Sequence, residues 1–449
     1  MEDLIKIYDA GVVGAGGAGF PTYKKLNAKV EYFIINGAEC EPLLQTDKYI
    51  MRERSEEVLL GVKKVAEIIK AEKVVFALKK KYQYEIESLK KAQEKFGIDL
   101  DFFLMNSIYP AGDEQVLVYE VTGRTVPPGG IPLQVGTVVS NVGTMLNVYH
   151  AMEGKPVIRK LVSVMGEVNN PLLLDVPIGI SIRECIEAAG GSKLDGFHII
   201  LGGPMMGMLI SSEDIDSRVV TKTTGGVIVI PSDHYLVYKN KLNLQHMINQ
   251  TKSACIQCSY CTDMCPRYLI GHPIRPHKIM RKIGYSEEID ESFMDSLICC
   301  ECGICELYAC PMGISPRLVN IYVKNKLREK KITFKDDKSG PSEIGIREHR
   351  KVPVERLLTR IHMHKYDVKE PLKIKAIKTD RVSIPLRQHI GVAANPLVKV
   401  GDNVALGQLI ASVNYGDLGA NIHGSIDGVV VEIHDAIVIE RKNSGVMSC

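Results

Sequence analysis

Residues 254–269, ACIQCSYCTDMCPRYL, and 298–313, ICCECGICELYACPMG, hold nine of the twelve cysteines of the 449-residue chain. The first stretch reads Cys255-x2-Cys258-x2-Cys261-x3-Cys265-Pro266, and the second Cys299-x2-Cys302-x2-Cys305-x4-Cys310-Pro311. A [4Fe–4S] cube needs four thiolates, and a tight loop with two-residue spacers supplies three of them. The fourth comes from further along and, in paired-cluster domains, ligates the other cube. The expected sets are therefore Cys255, Cys258, Cys261 and Cys310 on one cube, and Cys299, Cys302, Cys305 and Cys265 on the other. Cys300 is left as a spare beside the run, and the four-residue spacer before Cys310 departs from the commonest spacing.

Other readings of the cysteines fit less well. Zinc sites pair two Cys-x2-Cys knuckles, whereas a third cysteine at the same spacing followed by Cys-Pro favours a cube. A disulfide framework suits small secreted domains, and this long chain opens without an apolar signal segment. Cys40, Cys185 and Cys449 stand alone and read as buried or terminal thiols.

Composition narrows the remaining classes. The length suggests about three domains. A net charge of +3 and the absence of Trp argue against a nucleic-acid surface. No apolar run approaches the roughly 20 residues that span a bilayer. Reduced thiols and cluster chemistry suit a reducing cytoplasm.

Further along the chain, residues 1–155 read as an α/β domain. Its strands are expected at 30–36 (VEYFIIN) and 74–78 (VVFAL), with a helix over 55–71. Residues 156–235 read as a small α+β module with strands at 161–168, 196–201 and 226–230. A helix at 181–189 within it is closed by Gly190-Gly191. Residues 243–329 form the helical cluster domain. The Lys- and Arg-rich stretch 330–378 reads as a linker with helical pieces, a loop at 336–342 and solvated charge. Residues 379–449 alternate apolar positions with Gly and Asp turns, as in 396–407 and 422–431, and suit a small barrel-like sandwich. Its Asp427-Gly428 turn carries no lysine for a covalent prosthetic group. Residues 1–9 show no amphipathic targeting helix.

The second chemical signal is residues 11–22, GVVGAGGAGFPT. Closely spaced glycines let backbone N–H groups approach a phosphate without obstruction by Cβ. The loop lacks the Lys-Ser/Thr ending of a P-loop, and only about ten residues precede it, where a dinucleotide fold would have a strand. Its companions are residues 36–42 (NGAECEP), 109–114 (YPAGDE) and 138–144 (VVSNVGT). Singly each reads as a cap or turn; together, beside two cluster loops, they point to a polar ring-binding site.

These four segments resemble the flavin-binding segments of the 51-kDa NADH-oxidising subunit of respiratory complex I and, more closely, of the Rnf C subunit. The module order resembles the cobalamin reductases of propanediol-utilisation microcompartments. There a Rossmann-like flavin domain precedes a β-grasp (SLBB) module, a two-cluster ferredoxin-like domain and a C-terminal barrel-sandwich hybrid. The resemblance implies FMN held by Gly14, Gly16 and Gly17, with Lys25 near the phosphate and Asn36 at the ring or ribityl edge. It implies Glu39 and Glu41 as catalytic residues flanking flavin and nicotinamide. Gly112, Asp113 and Glu114 would form the opposite wall, and Asn141 and Thr144 would complete the phosphate cradle. The chain departs at Ala15, where the complex I pattern has arginine, and at the Asp113-Glu114 pair.

The implied activity is oxidation of NADH through FMN and two [4Fe–4S] clusters, with cobalamin reduced for delivery to a corrinoid adenosyltransferase. A microcompartment shell protein is an implied partner, and the implied location is the cytoplasm or such a compartment. Two other readings stay open: an electron-transfer subunit of a larger assembly exchanging electrons with ferredoxin or another enzyme, and a non-catalytic wire without its own NADH site.

Overall fold

The structure, a computed structural model, describes residues 2–286, 288–335 and 344–442. The loop expected at 336–342 and Cys449 lie outside the described residues. Four strands, Tyr32–Gly37, Lys73–Lys79, Asp101–Met105 and Thr137–Asn141, form the first sheet. All its pairings are parallel, and Tyr32–Gly37 lies between Lys73–Lys79 and Thr137–Asn141. The Phe33-Ile34-Ile35 run is fully buried, as a central parallel strand covered on both faces must be. Helix Ser55–Ile69 buries Val58, Leu59, Val62, Val65 and Ile69, the spacing of one helical face. The glycine-rich loop comes before the first strand. A helix, Glu2–Asp9, precedes it and buries Leu4 and Ile7. Residues 2–9 thus form a helix whose apolar face docks on its own domain.

The second module is a six-stranded mixed sheet. Its order is Met208–Ser211, Phe197–Leu201, Gly226–Pro231, Arg159–Gly166, Leu172–Pro177 and Ile374–Ala376. Its helix Ile182–Ala188 starts in a capping box, with Ser181 and Glu184 exchanging bonds, and ends at the left-handed Gly190 and Gly191. Strand Leu172–Pro177 escaped sequence reading because LLLDVP has no clear alternation.

The expected linker is corrected by its pairings. Val352–Pro353 pairs with Ile108–Tyr109 of the first domain, and Ile374–Ala376 extends the β-grasp sheet. Nor is its charge all solvated: Arg347 is buried and sits 2.5 Å from Glu120. The stretch is a strap that ties two domains together. The final domain contains two small sheets, of four and three strands. It seats on the first domain through Tyr8, Tyr23 and Tyr415, whose rings lie 5.1–5.2 Å apart. Among the described residues no helix is long and apolar enough to cross a membrane.

Candidate functional site: a glycine-rich cradle and two thiol-lined cavities

The parallel sheet reverses its strand order beside Tyr32–Gly37, where an α/β fold opens a crevice at the strand C-termini. Asn36 and Asn141 stand there as register partners on adjacent strands. Asn36 accepts from Ala38 N at 3.1 Å and donates to Gly112 O at 2.9 Å, which joins the NGAE and YPAGD turns. Gly112 must be glycine, because a Cβ there would lie 2.8 Å from that of Cys40. Asn141 caps helix Val142–Met152 through Gly143 N at 2.8 Å and donates to Asp47 Oδ2 at 2.7 Å.

The glycine-rich loop lies over this crevice. It is closed by Gly14 N donating to Phe20 O at 2.9 Å, and Ala15 N donates to the buried Thr144 hydroxyl at 3.0 Å. A Cβ on Gly16 would come within 3.1 Å of Asn141 Cβ, whereas one on Gly17 would meet nothing within 4 Å. Among the described residues the N–H groups of Gly16, Gly17 and Ala18 have no protein acceptor, and all three residues are exposed. Consecutive free N–H groups on an open turn form an anion cradle, so the residues present fit a flavin phosphate.

Other expected contributors are engaged elsewhere. Lys25 Nζ lies 2.5 Å from Glu114 Oε1, so these two meet each other across the loop. Asp113 caps helix Glu114–Thr122 through Gln115 N and Val116 N, and its Oδ2 takes Arg267 Nη2 at 2.8 Å. It therefore fastens the cluster domain to the flavin domain rather than presenting a free carboxylate. Glu39 is buried, accepts from Asp47 N at 2.7 Å, and burial pushes its pKa up. Lys79, which sequence reading missed, donates to Glu39 O at 3.0 Å; burial pushes it down to about 8. Glu41 points into the β-grasp module. Its Oε2 accepts from Met205 N at 3.0 Å, its Oε1 is buried without a partner, and burial pushes it up to about 7.

The eight expected ligand cysteines separate into the two crossed sets. Cys255, Cys258, Cys261 and Cys310 line one cavity. Cys265, Cys299, Cys302 and Cys305 line another, with Cys300 at its wall. All the described cysteines are free thiols. No three His, Cys, Asp or Glu side chains among the described residues gather around a single metal ion. Thiols spread around a cavity suit the corners of a cube, so the residues fit iron–sulfur clusters. The four-residue spacer before Cys310 is taken up by a π-helix, Ile304–Ala309, the form in which a helix absorbs an added residue.

The second cavity faces the flavin domain. Tyr109 Oη donates to Cys302 O at 2.8 Å, and Thr125 Oγ1 to Ile270 O at 3.3 Å, beside the Asp113–Arg267 pair.

A flavin domain, a β-grasp module, paired thiol cavities and a barrel-sandwich piece define a flavin and iron–sulfur oxidoreductase of the complex I 51-kDa and Rnf C superfamily. Family models match in the same order: a Nuo51 FMN-binding domain over residues 7–150, an SLBB domain over 161–209, a 4Fe-4S dicluster domain over 254–315 and an RnfC barrel sandwich hybrid domain over 360–449. The cobalamin reductase PduS of Citrobacter freundii is 41% identical over 95% of this chain and 94% of its own length. That of Salmonella typhimurium is 41% identical over 97% and 96%. The C subunit of the proton-translocating ferredoxin:NAD(+) oxidoreductase complex of Clostridium ljungdahlii is 37% identical over 60% of this chain and 56% of its own. The chain belongs to the cobalamin reductase PduS family.

Proposed function

We propose that the chain oxidises NADH with FMN and two [4Fe–4S] clusters and delivers the electrons to a corrinoid, as the names of its full-length relatives suggest. The observation that carries this reading is the asymmetry of the two thiol cavities. One abuts the flavin domain through Tyr109 and Arg267, and the other opens to solvent at the exposed Cys258. When bound, FMN supplies the conversion of a two-electron donor into single electrons, the form that iron–sulfur clusters carry.

In this reading the N–H groups of Gly16, Gly17 and Ala18 receive the phosphate, and Gly14 keeps the loop closed. Asn36, Gly112, Asn141 and Thr144 shape the crevice floor, while the Lys25–Glu114 pair borders it. Glu39 stays buried at its edge and Glu41 anchors the β-grasp module, so nicotinamide contact by Glu41 would require it to leave Met205 N. Cys265, Cys299, Cys302 and Cys305 hold the inner cluster, and Cys255, Cys258, Cys261 and Cys310 the outer one. A corrinoid adenosyltransferase and a microcompartment shell protein are proposed partners, and a microcompartment in the cytoplasm is the proposed setting.

The Clostridium relative supports a second reading, in which the chain serves a larger assembly that exchanges electrons with ferredoxin. Purified, anaerobically reconstituted chain separates the readings. NADH should bleach the flavin, and cob(III)alamin added next should be reduced. Bleaching without corrinoid reduction would favour the assembly, and a flavin that stays oxidised would leave only a wire.

A further inference from the structure

The glycine-rich loop is held from outside its own domain. Lys160 lies on the first strand of the β-grasp module, Arg159–Gly166, and its Nζ donates to Ala15 O at 3.2 Å. At the start of the loop, Lys222 of the same module donates to Gly11 O at 2.7 Å and to Asn421 O at 2.6 Å. Two lysine side chains from one module thus grip backbone carbonyls of a single loop in another. Taking an ammonium group out of water costs several kcal/mol before its partners offset it. Such an arrangement fixes the loop firmly only while both modules stay docked.

The two lysines differ in surroundings. Lys222 acts as a strut between three domains, with carbonyls of the first and last domains on its Nζ. Lys160 stands near two buried carboxyl groups, whose pKa values burial pushes up. Asp47 lies beside it and accepts from Asn141 Nδ2 at 2.7 Å, and Glu39 lies beyond, bound to Asp47 N. Lys160 therefore holds the Ala15 carbonyl at the edge of the crevice, within electrostatic reach of the Asp47–Asn141 pair.

Peptide geometry then sets the consequence. In a trans peptide the carbonyl of one residue and the N–H of the next point in opposite directions. With the Ala15 carbonyl directed at Lys160, the Gly16 N–H is directed away from it. That N–H begins the row of unpaired donors, Gly16 to Ala18. We propose that Lys160 is a positioning residue for the flavin phosphate: it fixes the Ala15–Gly16 peptide, so that docking of the β-grasp module completes the flavin site. The proposal rests on the flavin reading above and adds a second domain to it.

The test is equilibrium binding of FMN and of riboflavin, which lacks the phosphate, to the full-length flavin-free chain by flavin fluorescence. Lys160→Met should weaken FMN about tenfold or more, the scale of one hydrogen bond involving a charged group. Riboflavin affinity should stay unchanged, and Lys160→Arg, which keeps a cationic donor, should retain most of the FMN affinity. Equal FMN binding by Lys160→Met and the unmodified chain would overturn the proposal. So would an equal loss of FMN and riboflavin, which marks a general packing role. If Lys160→Met does not fold, Lys160→Gln carries the same comparison with a shorter neutral donor. An unmodified chain that binds neither flavin would remove the flavin reading itself.

Discussion

The two cysteine loops share one backbone plan and sit in opposite surroundings. Gln257 and Ser259 in the first are left-handed, at φ 53° and 64°, and their counterparts Glu301 and Gly303 in the second are at 60° and 82°. Alternating right- and left-handed residues curl the backbone into a concavity of N–H groups, which suits an anionic cluster. Around the first loop Cys258 is exposed, and so are Ile256, Tyr260 and Met312. Around the second, Cys302 is buried, Tyr109 binds its carbonyl, and Lys324 Nζ donates to Cys299 O at 2.9 Å and Glu301 Oε1 at 2.7 Å. One local design thus serves two positions, and the surrounding domains decide which loop abuts the flavin domain and which meets solvent.

The sharpest way to break this comparison is to remove one ligand from each loop. If each set holds one cube, as proposed, Cys302→Ala and Cys258→Ala should each lower bound iron by about half. Their electron transfer should differ. Cys302→Ala should leave NADH able to bleach the flavin while no electron reaches the outer cluster. Cys258→Ala should leave the inner cluster reducible and abolish only reduction of external acceptors. Electron paramagnetic resonance of the NADH-treated variants reads both. Identical signals from the two would mean that the loops are not arranged in series.

A smaller effect tests the seating of the inner loop. Arg267 follows the inner ligand Cys265, and its pairing with Asp113 is largely buried, with the side chains 12% and 13% exposed. Arg267→Met should cost about 3–5 kcal/mol, because it leaves a buried carboxylate without its cation. Met312, which follows Cys310 at the outer loop, is 40% exposed, and Met312→Ala should change stability by less than about 0.5 kcal/mol. Thermal unfolding of anaerobically prepared protein gives both values. Comparable losses would mean that the outer loop is as deeply seated as the inner one.

How much of this was legible in the sequence follows from the range over which each residue acts. The cysteine sets and the glycine loop act locally, through spacing and backbone freedom, so their motifs stand out in the sequence. The four-domain order was legible for the same reason. Lys160 and Lys222 were invisible because they act on a loop 145 or more residues away. Asp113 and Glu41 were read as flavin-site carboxylates from their place in a motif. A motif does not reveal that Arg267 and Met205 N, on other domains, approach them. The strap at 344–378 looked like a solvated linker because its two strands are too short to show a period.

The smallest effect comes from exchanging serine and glycine at the second left-handed position that the two loops share, Ser259 and Gly303. A non-glycine residue in the left-handed region loses about 1–2 kcal/mol, and glycine gives back part of that gain through its greater freedom in the unfolded chain. Ser259 also holds Asp263 through its hydroxyl at 3.1 Å. These terms nearly cancel, so Ser259→Gly should move stability by less than about 0.5 kcal/mol. Gly303→Ser reverses these terms and adds crowding. Its new Cβ would lie 3.1 Å from Arg317 Nη1 and 3.4 Å from Leu307 Cδ1 and Met205 Cε. It should cost about 1–2 kcal/mol, read as a lower thermal midpoint. A tolerated serine at 303 would mean that the inner loop has the freedom of the outer one. The packing of Met205 and Arg317 around it argues that it does not: the β-grasp module reaches the inner loop, and glycine is what lets it come that close.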